Sequence, residues 1–244
     1  EMVSQYVLTI FAVQMITVTV LTGVSSVLPG LGGVVGKGEF KRAEQIRKES
    51  LLYSWWLSLA ICGTVIALNR SFVTLWVGAE QYAGETVNAM IVICVFQLVF
   101  IRHDSFMLNL ALDIRKKVVL GVISFISTLL LMFVLVPQYD LLGLCVSLVI
   151  GRGILSIAYP IFVSRFLGAS HSYGLPVRYW FSAAILLLAT WKLSIGYITL
   201  SWWSLIIDAV LLISILLLFA YIVVMGKEER KMVIYRINSL IQRE

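Results

Sequence analysis

The sequence predicts an all-α membrane protein with about seven transmembrane helices. Three observations lead there. In composition, 60% of the 244 residues are hydrophobic and only 13% are charged, against about 45–50% and about 25% in soluble domains. A water-soluble fold of this size cannot cover that much apolar surface. The apolar segments are also long and unbroken; a spanning helix needs about 20 such residues, whereas a spanning strand needs only about 10 in strict alternation. Finally, Lys and Arg concentrate in alternate connections between the apolar runs.

Taken in order, the runs give spans near residues 7–34, 51–69, 87–112, 118–136, 141–164, 179–197 and 203–225. The first ends in small residues and Pro29 before Lys37, and the second lies between Lys48 and Arg70. The third stops at Asp113, and the fourth runs from Lys117 to Pro137. Past a short turn, the fifth extends from Leu141 to Arg165; the sixth follows Arg178, and the seventh ends before Lys227. Residues 1–226 therefore form a helical bundle, and residues 227–244 a cytoplasmic amphipathic tail.

The basic residues set the orientation, because Lys and Arg of short loops stay on the cytoplasmic side. One set of connections holds Lys37, Lys41, Arg42, Arg47 and Lys48, then Arg115, Lys116 and Lys117, then Arg165 and Arg178, and last Lys227, Arg230, Lys231, Arg236 and Arg243. The other holds only Arg70, with Lys192 nearby. The amino terminus is thus expected outside and the carboxyl terminus inside, in a multi-pass cytoplasmic-membrane protein. The net charge of +6 is then a topology signal and not a nucleic-acid footprint. Trp55, Trp56 and Trp180 are expected as interface anchors at the inner level, and Trp76, Trp202 and Trp203 at the outer. The segment GEFKRAEQIRKES and the tail, with Val233, Ile237, Leu240 and Ile241 at helical spacing, read as amphipathic helices lying on the inner leaflet.

Cys62, Cys94 and Cys145 all fall inside apolar runs, odd in number and without paired spacing, so neither a disulfide framework nor a metal site is expected. The glycines of GLGGVVGKG lack the GxxxxGK[ST] and GxGxxG patterns, and no cofactor is expected. The opening residues EMVSQY lack the features of a secretory signal, and the chain is expected to be a fragment.

Three landmarks recur in a familiar order: VSSVLPGLGGVVGKGEFKRAEQIRKE at the end of the first span, RSFVTLWVGAEQYA after the second, and VPQYDLLGLCVSLVIGR leading into the fifth. Over most of residues 6–165 the chain resembles the polysaccharide transporter family. These are the O-antigen and exopolysaccharide flippases of the multidrug, lipid-linked oligosaccharide and polysaccharide exporter superfamily. Asp140 departs from the pattern, standing where the family usually has glycine. The resemblance implies the second, seven-helix bundle of a flippase-like transporter of about fourteen helices. Its implied partners are a lipid-linked sugar substrate, membrane lipids and a missing amino-terminal bundle of the same protein.

Charged groups within spans are costly, about 2.5–3.5 kcal/mol each, and usually face a cavity or a partner. Arg152 lies near the middle of the fifth span. It is a candidate for binding the pyrophosphate or an acidic sugar of a lipid-linked substrate, or else pairs with a carboxylate from another span or from the missing half. Arg102 either joins it in the substrate path or snorkels toward the basic loop. Asp104 and His103 are the candidates for ion or proton coupling. The alternatives are pairing of Asp104 with Arg102 or Arg152, and simple hydrogen bonding of His103. Lys192 and Asp208 are placed to form one ion pair. Gln14, Asn88, Gln97 and Asn109 either line a sugar path or join helices.

A flippase working by alternating access heads the functional readings. A drug or organic-cation antiporter of the same fold would need intramembrane carboxylates, which Asp104 and Asp208 alone supply against Arg102, Arg152 and Lys192. A membrane enzyme of glycan assembly would need a convergent catalytic set, yet only His103 and His171 exist, so no enzymatic role is expected. A structural assembly subunit would require the intramembrane arginines to be fully paired.

Overall fold

The computed structural model describes residues 2–26, 28–110, 114–168 and 174–241. Every regular element among them is helical. The first predicted span divides into α1 (Met2–Ser26) and α2 (Leu28–Gly36), with Pro29 in the first turn of α2, where its missing N–H costs nothing. Next come α3 (Phe40–Val77), a 3₁₀ turn (Ala79–Gln81) and α4 (Glu85–Leu110). They are followed by α5 (Ile114–Phe166), α6 (Val177–Ser194), α7 (Trp202–Phe219) with a π-helical extension (Ala220–Val224), and α8 (Lys227–Ile241). Five of these segments are long and apolar enough to cross a membrane: within α1, α3, α4 and α5, and α7 with its extension.

The 53 residues of α5 are a hairpin, not one rod. Asp140 breaks the helix at φ 48°, ψ −125°, separating arms 114–139 and 141–166. The arms pack antiparallel: the Ser124 hydroxyl donates to the Gly151 carbonyl at 2.8 Å, Gly151 lies against Thr128, and Gly143 lies against the Leu135 carbonyl. The break thus separates the two segments expected at 118–136 and 141–164. Its conformation matches the first central position of a type II′ turn, which glycine adopts freely and side chains resist. Asp140 occupies it, and strain of this kind is worth on the order of 1–3 kcal/mol. Asp140→Gly is therefore expected to raise the thermal unfolding midpoint in detergent; an unchanged or lower midpoint would show that the aspartate is unstrained.

At the centre lies α3, packed against α1, α4, α6 and α7, while the hairpin packs on α4. Its 38 residues extend about 57 Å at 1.5 Å per residue, well beyond a bilayer core of about 30 Å. This corrects the expectation of a surface helix followed by a span at 51–69, for the basic segment is the first part of α3 itself. The ion pair of Lys48 with Glu44 at 2.6 Å supports its outer face, while Ala43, Arg47, Leu51, Trp55 and Leu59, four residues apart, all turn inward and are buried.

That face also corrects the reading of Trp55 as an interface anchor. Trp55 is wholly buried, donates its indole N–H to the Tyr179 carbonyl at 3.1 Å, and meets the Tyr179 ring edge-on at 4.8 Å. Trp76, Trp180, Trp202 and Trp203 stay exposed. Helix α8 packs one face on the bundle: Val233 is buried with the main core, and Glu229 is held by Arg178 at 2.6 Å. The side chains of Ile237, Leu240 and Ile241 lie outside the described residues, as does His171.

Outward, the hairpin and α7 present apolar side chains, Phe125, Phe133, Val210 and Leu218 among them. So much exposed apolar surface on long helices suits contact with lipid.

Candidate functional site

Between α3, α4, the second arm of α5 and the start of α6 lies a cavity of about 410 Å³. Its walls are chiefly apolar, with Phe96, Phe100, Leu155 and Trp180 prominent, and its polar groups are Gln97, Asp104 and Ser156. Gln97 donates to the Val149 carbonyl at 3.0 Å and to the Ser156 hydroxyl at 3.1 Å, tying α4 to the hairpin. Its buried Oε1 has no hydrogen-bond partner among the described residues, and such an acceptor calls for a donor from water or a ligand. Ile93, Phe96 and Trp180 also line a second space of about 470 Å³, a nearly wholly apolar groove between α4 and α6. A polar-tipped cavity thus adjoins an apolar groove, a pairing suited to a molecule with a polar head and a hydrocarbon tail.

At one edge of the cavity Asp104 belongs to a buried network. Arg47 donates Nε and Nη2 to Asp104 Oδ1 at 3.1 and 3.0 Å, Nη2 also to Oδ2 at 3.1 Å, and Nη1 to the Ser164 hydroxyl at 3.1 Å. His103 stands between Asp104 and Ser50, with Nε2 2.8 Å from the Ser50 hydroxyl and Nδ1 3.4 Å from Asp104 Oδ1. The network joins α3, α4 and the hairpin. It corrects two readings: Asp104 pairs with neither Arg102 nor Arg152, and Arg47 is not a surface cation. The reason is helical phase, since Arg47 lies on the buried face of α3 that includes Leu51, Trp55 and Leu59.

The two candidate arginines lie apart. Arg152 is half-buried and shares a face of its arm with the cavity-lining Val149 and Ser156, three and four residues away. No salt bridge or side-chain hydrogen bond of its guanidinium occurs among the described residues, and Tyr6 of α1 lies within its electrostatic reach. Arg102 is exposed, turned away from the cavity and toward Lys117 and Tyr159.

The remaining polar candidates mostly join helices. Asn88 accepts from Asn69 at 2.7 Å and donates to the Ile66 carbonyl at 3.3 Å. Asn109 accepts from Lys117 at 2.7 Å, and Gln14 is exposed. Asp208 accepts from Tyr197 and Thr199 at 2.7 and 3.1 Å; the expected pair with Lys192 does not form. Arg70 pairs with Glu85 at 3.3 Å. Comparison of the chain with family models, curated proteins and solved structures finds no match.

Proposed function

We propose that this chain is one bundle of a transporter that moves a lipid-linked oligosaccharide or polysaccharide precursor across the cytoplasmic membrane by alternating access. The observation that carries the reading is the adjacency of the polar-tipped cavity and the apolar groove, which share Ile93, Phe96 and Trp180 as a common wall. A free sugar needs no such groove, and a simple hydrocarbon needs no Gln97. With each arm of the hairpin and α6 counted as crossings, the bundle has seven, and the second half of the transport path comes from a further bundle of the same protein.

The charge inventory favours an anionic cargo. Asp104 is neutralised by Arg47, and Asp208, away from the cavity lining, accepts two hydroxyl hydrogen bonds, which leaves a cationic drug no unpaired carboxylate in the cavity among the described residues. Arg152, by contrast, shares a helix face with the cavity-lining Val149 and Ser156 without itself lining the cavity, and has no counter-charge among the described residues. With both ring nitrogens engaged, His103 suits a structural tie better than proton coupling.

Arg152→Lys keeps the charge but loses the planar fork, and is expected to impair flipping of lipid-linked sugar in cells; Arg152→Ala is expected to impair it further. The assay compares equal amounts of membrane-inserted protein. Normal flipping by the alanine variant would sink the headgroup role.

The orientation has its own test. Cys62, Cys94 and Cys145 are buried, so single cysteines added at exposed Glu80 and Lys231 stand out against a low background. An impermeant thiol reagent applied outside intact cells is expected to label position 80 and spare position 231. The reverse pattern would invert the bundle.

A further inference from the structure

Outside the transport cavity, the ends of α4 and α5 enclose a second pocket of about 390 Å³ with a different chemistry. Lys116, Lys117 and Arg165 supply its polar rim, and Leu108, Leu120, Phe162 and Phe166 its apolar wall. Lys116 sits over the Phe162 ring, 5.7 Å from its centroid. Lys117 spends two donors, on Asn109 at 2.7 Å and on the Ser105 carbonyl at 3.5 Å, and has a third to offer. Arg165, in the last turn of the hairpin, is exposed and makes no ion pair among the described residues. Exposed Arg102 adds a fourth positive charge within reach of Lys117. Among the described residues no carboxylate lines the pocket.

We propose that this pocket holds the phosphate headgroup of an anionic phospholipid, with its acyl chains against Phe162, Phe166 and Leu120. Basic pockets between membrane helices recognise such headgroups, because the phosphates meet Lys and Arg while the chains stay in hydrocarbon. The cations stand where the hairpin arms end and an apolar wall begins, which is the level of lipid headgroups. An acidic protein segment would use the cations but leave the wall unfilled. The lipid would bridge the foot of the hairpin's first arm, through Lys116 and Lys117, to the end of its second, through Arg165, and so brace the hairpin.

The test is native mass spectrometry of the full 244-residue chain released from nanodiscs, together with thermal unfolding in detergent. The added probes are cardiolipin, phosphatidylglycerol, phosphatidylcholine, a polyprenyl diphosphate and inorganic phosphate at equal phosphate concentration. Cardiolipin and phosphatidylglycerol are expected to remain bound and raise the unfolding midpoint, phosphatidylcholine to do neither. In Lys116→Gln/Lys117→Gln/Arg165→Gln, affinity for cardiolipin is expected to fall about 100-fold, at roughly fivefold per cation. Lys37→Gln/Lys41→Gln/Lys227→Gln, which removes the same charge from exposed sites elsewhere, is expected to retain it. Equal losses in the two triple variants would overturn the pocket in favour of diffuse attraction. Stabilisation of the unaltered chain by inorganic phosphate alone, by polyprenyl diphosphate alone, or by phosphatidylcholine as strongly as by cardiolipin would overturn it without recourse to a variant.

Discussion

Arg47→Ala is expected to lower stability by about 3–5 kcal/mol, the usual cost of removing one member of a buried ion pair. Arg47 and Asp104 are only 2% and 3% exposed, so the surviving carboxyl group would be left without its counter-charge and its hydrogen-bond donors at a poorly solvated site. The loss would spread further, since Ser164 and Asp104 each give up contacts made by the same guanidinium. Asp104→Asn is expected to destabilise too, by leaving the arginine uncompensated. The paired replacement Arg47→Met/Asp104→Leu is expected to recover most of the loss, because two apolar side chains leave no buried charge behind. Thermal unfolding in detergent, followed by size-exclusion profile, gives the three values against the unaltered chain. Full stability of Arg47→Ala would mean the pair does not tie α3 to α4.

This pair also shows where sequence reading reached its limit. Arg47 sits in a run of charges, KRAEQIRKES, and local composition makes it one surface cation among several. Its partner Asp104 lies 57 positions away, and no local pattern links the two. One signal was nevertheless present. Ala43, Arg47, Leu51, Trp55 and Leu59 repeat every four residues across the supposed boundary at residue 51, so one buried face continues through it. That phase would have brought Arg47 inward and Trp55 into the core.

What was legible rests on covalent and near-neighbour effects. The apolar runs mark the helices because burial or lipid contact is the only favourable outcome for them, and the hairpin turn shows in Pro137, Asp140 and Gly143 because its backbone demands are local. The cavity is different in kind. Gln97 comes from α4, Ser156 from the hairpin and Trp180 from α6, and only the packed bundle brings them together. The sequence marks Gln97 as a polar residue in a span; that its amide oxygen lacks a partner among the described residues is a property of the assembled neighbours. Arg152 was legible by depth alone, since a guanidinium in mid-span is conspicuous wherever it points.

Gly151→Leu is expected to break the packing of the hairpin arms, with Gly151→Ala a milder form of the same defect. A methyl group at residue 151 would overlap the Thr128 hydroxyl and stand 2.9 Å from the Thr128 Cα. The obstacle includes backbone, so no side-chain rotation relieves it, and the arms must move apart. Separation would also stretch the bond from Ser124 to the Gly151 carbonyl, now 2.8 Å. Overpacking of this kind costs about 1–3 kcal/mol for an added methyl group and more for a larger side chain. Close approach through small residues is how membrane helices gain dispersion contacts when no hydrophobic force separates protein from lipid, so the loss is not repaired by the solvent. The matched control is Gly121→Ala on the first arm, where a methyl group meets nothing within 4 Å and is expected to leave the hairpin intact or stabilise it by about 0.5–1 kcal/mol. Thermal unfolding of the two alanine variants gives the comparison. Gly151→Ala as stable as Gly121→Ala would mean that the arms lie farther apart than the Thr128–Gly151 contact requires.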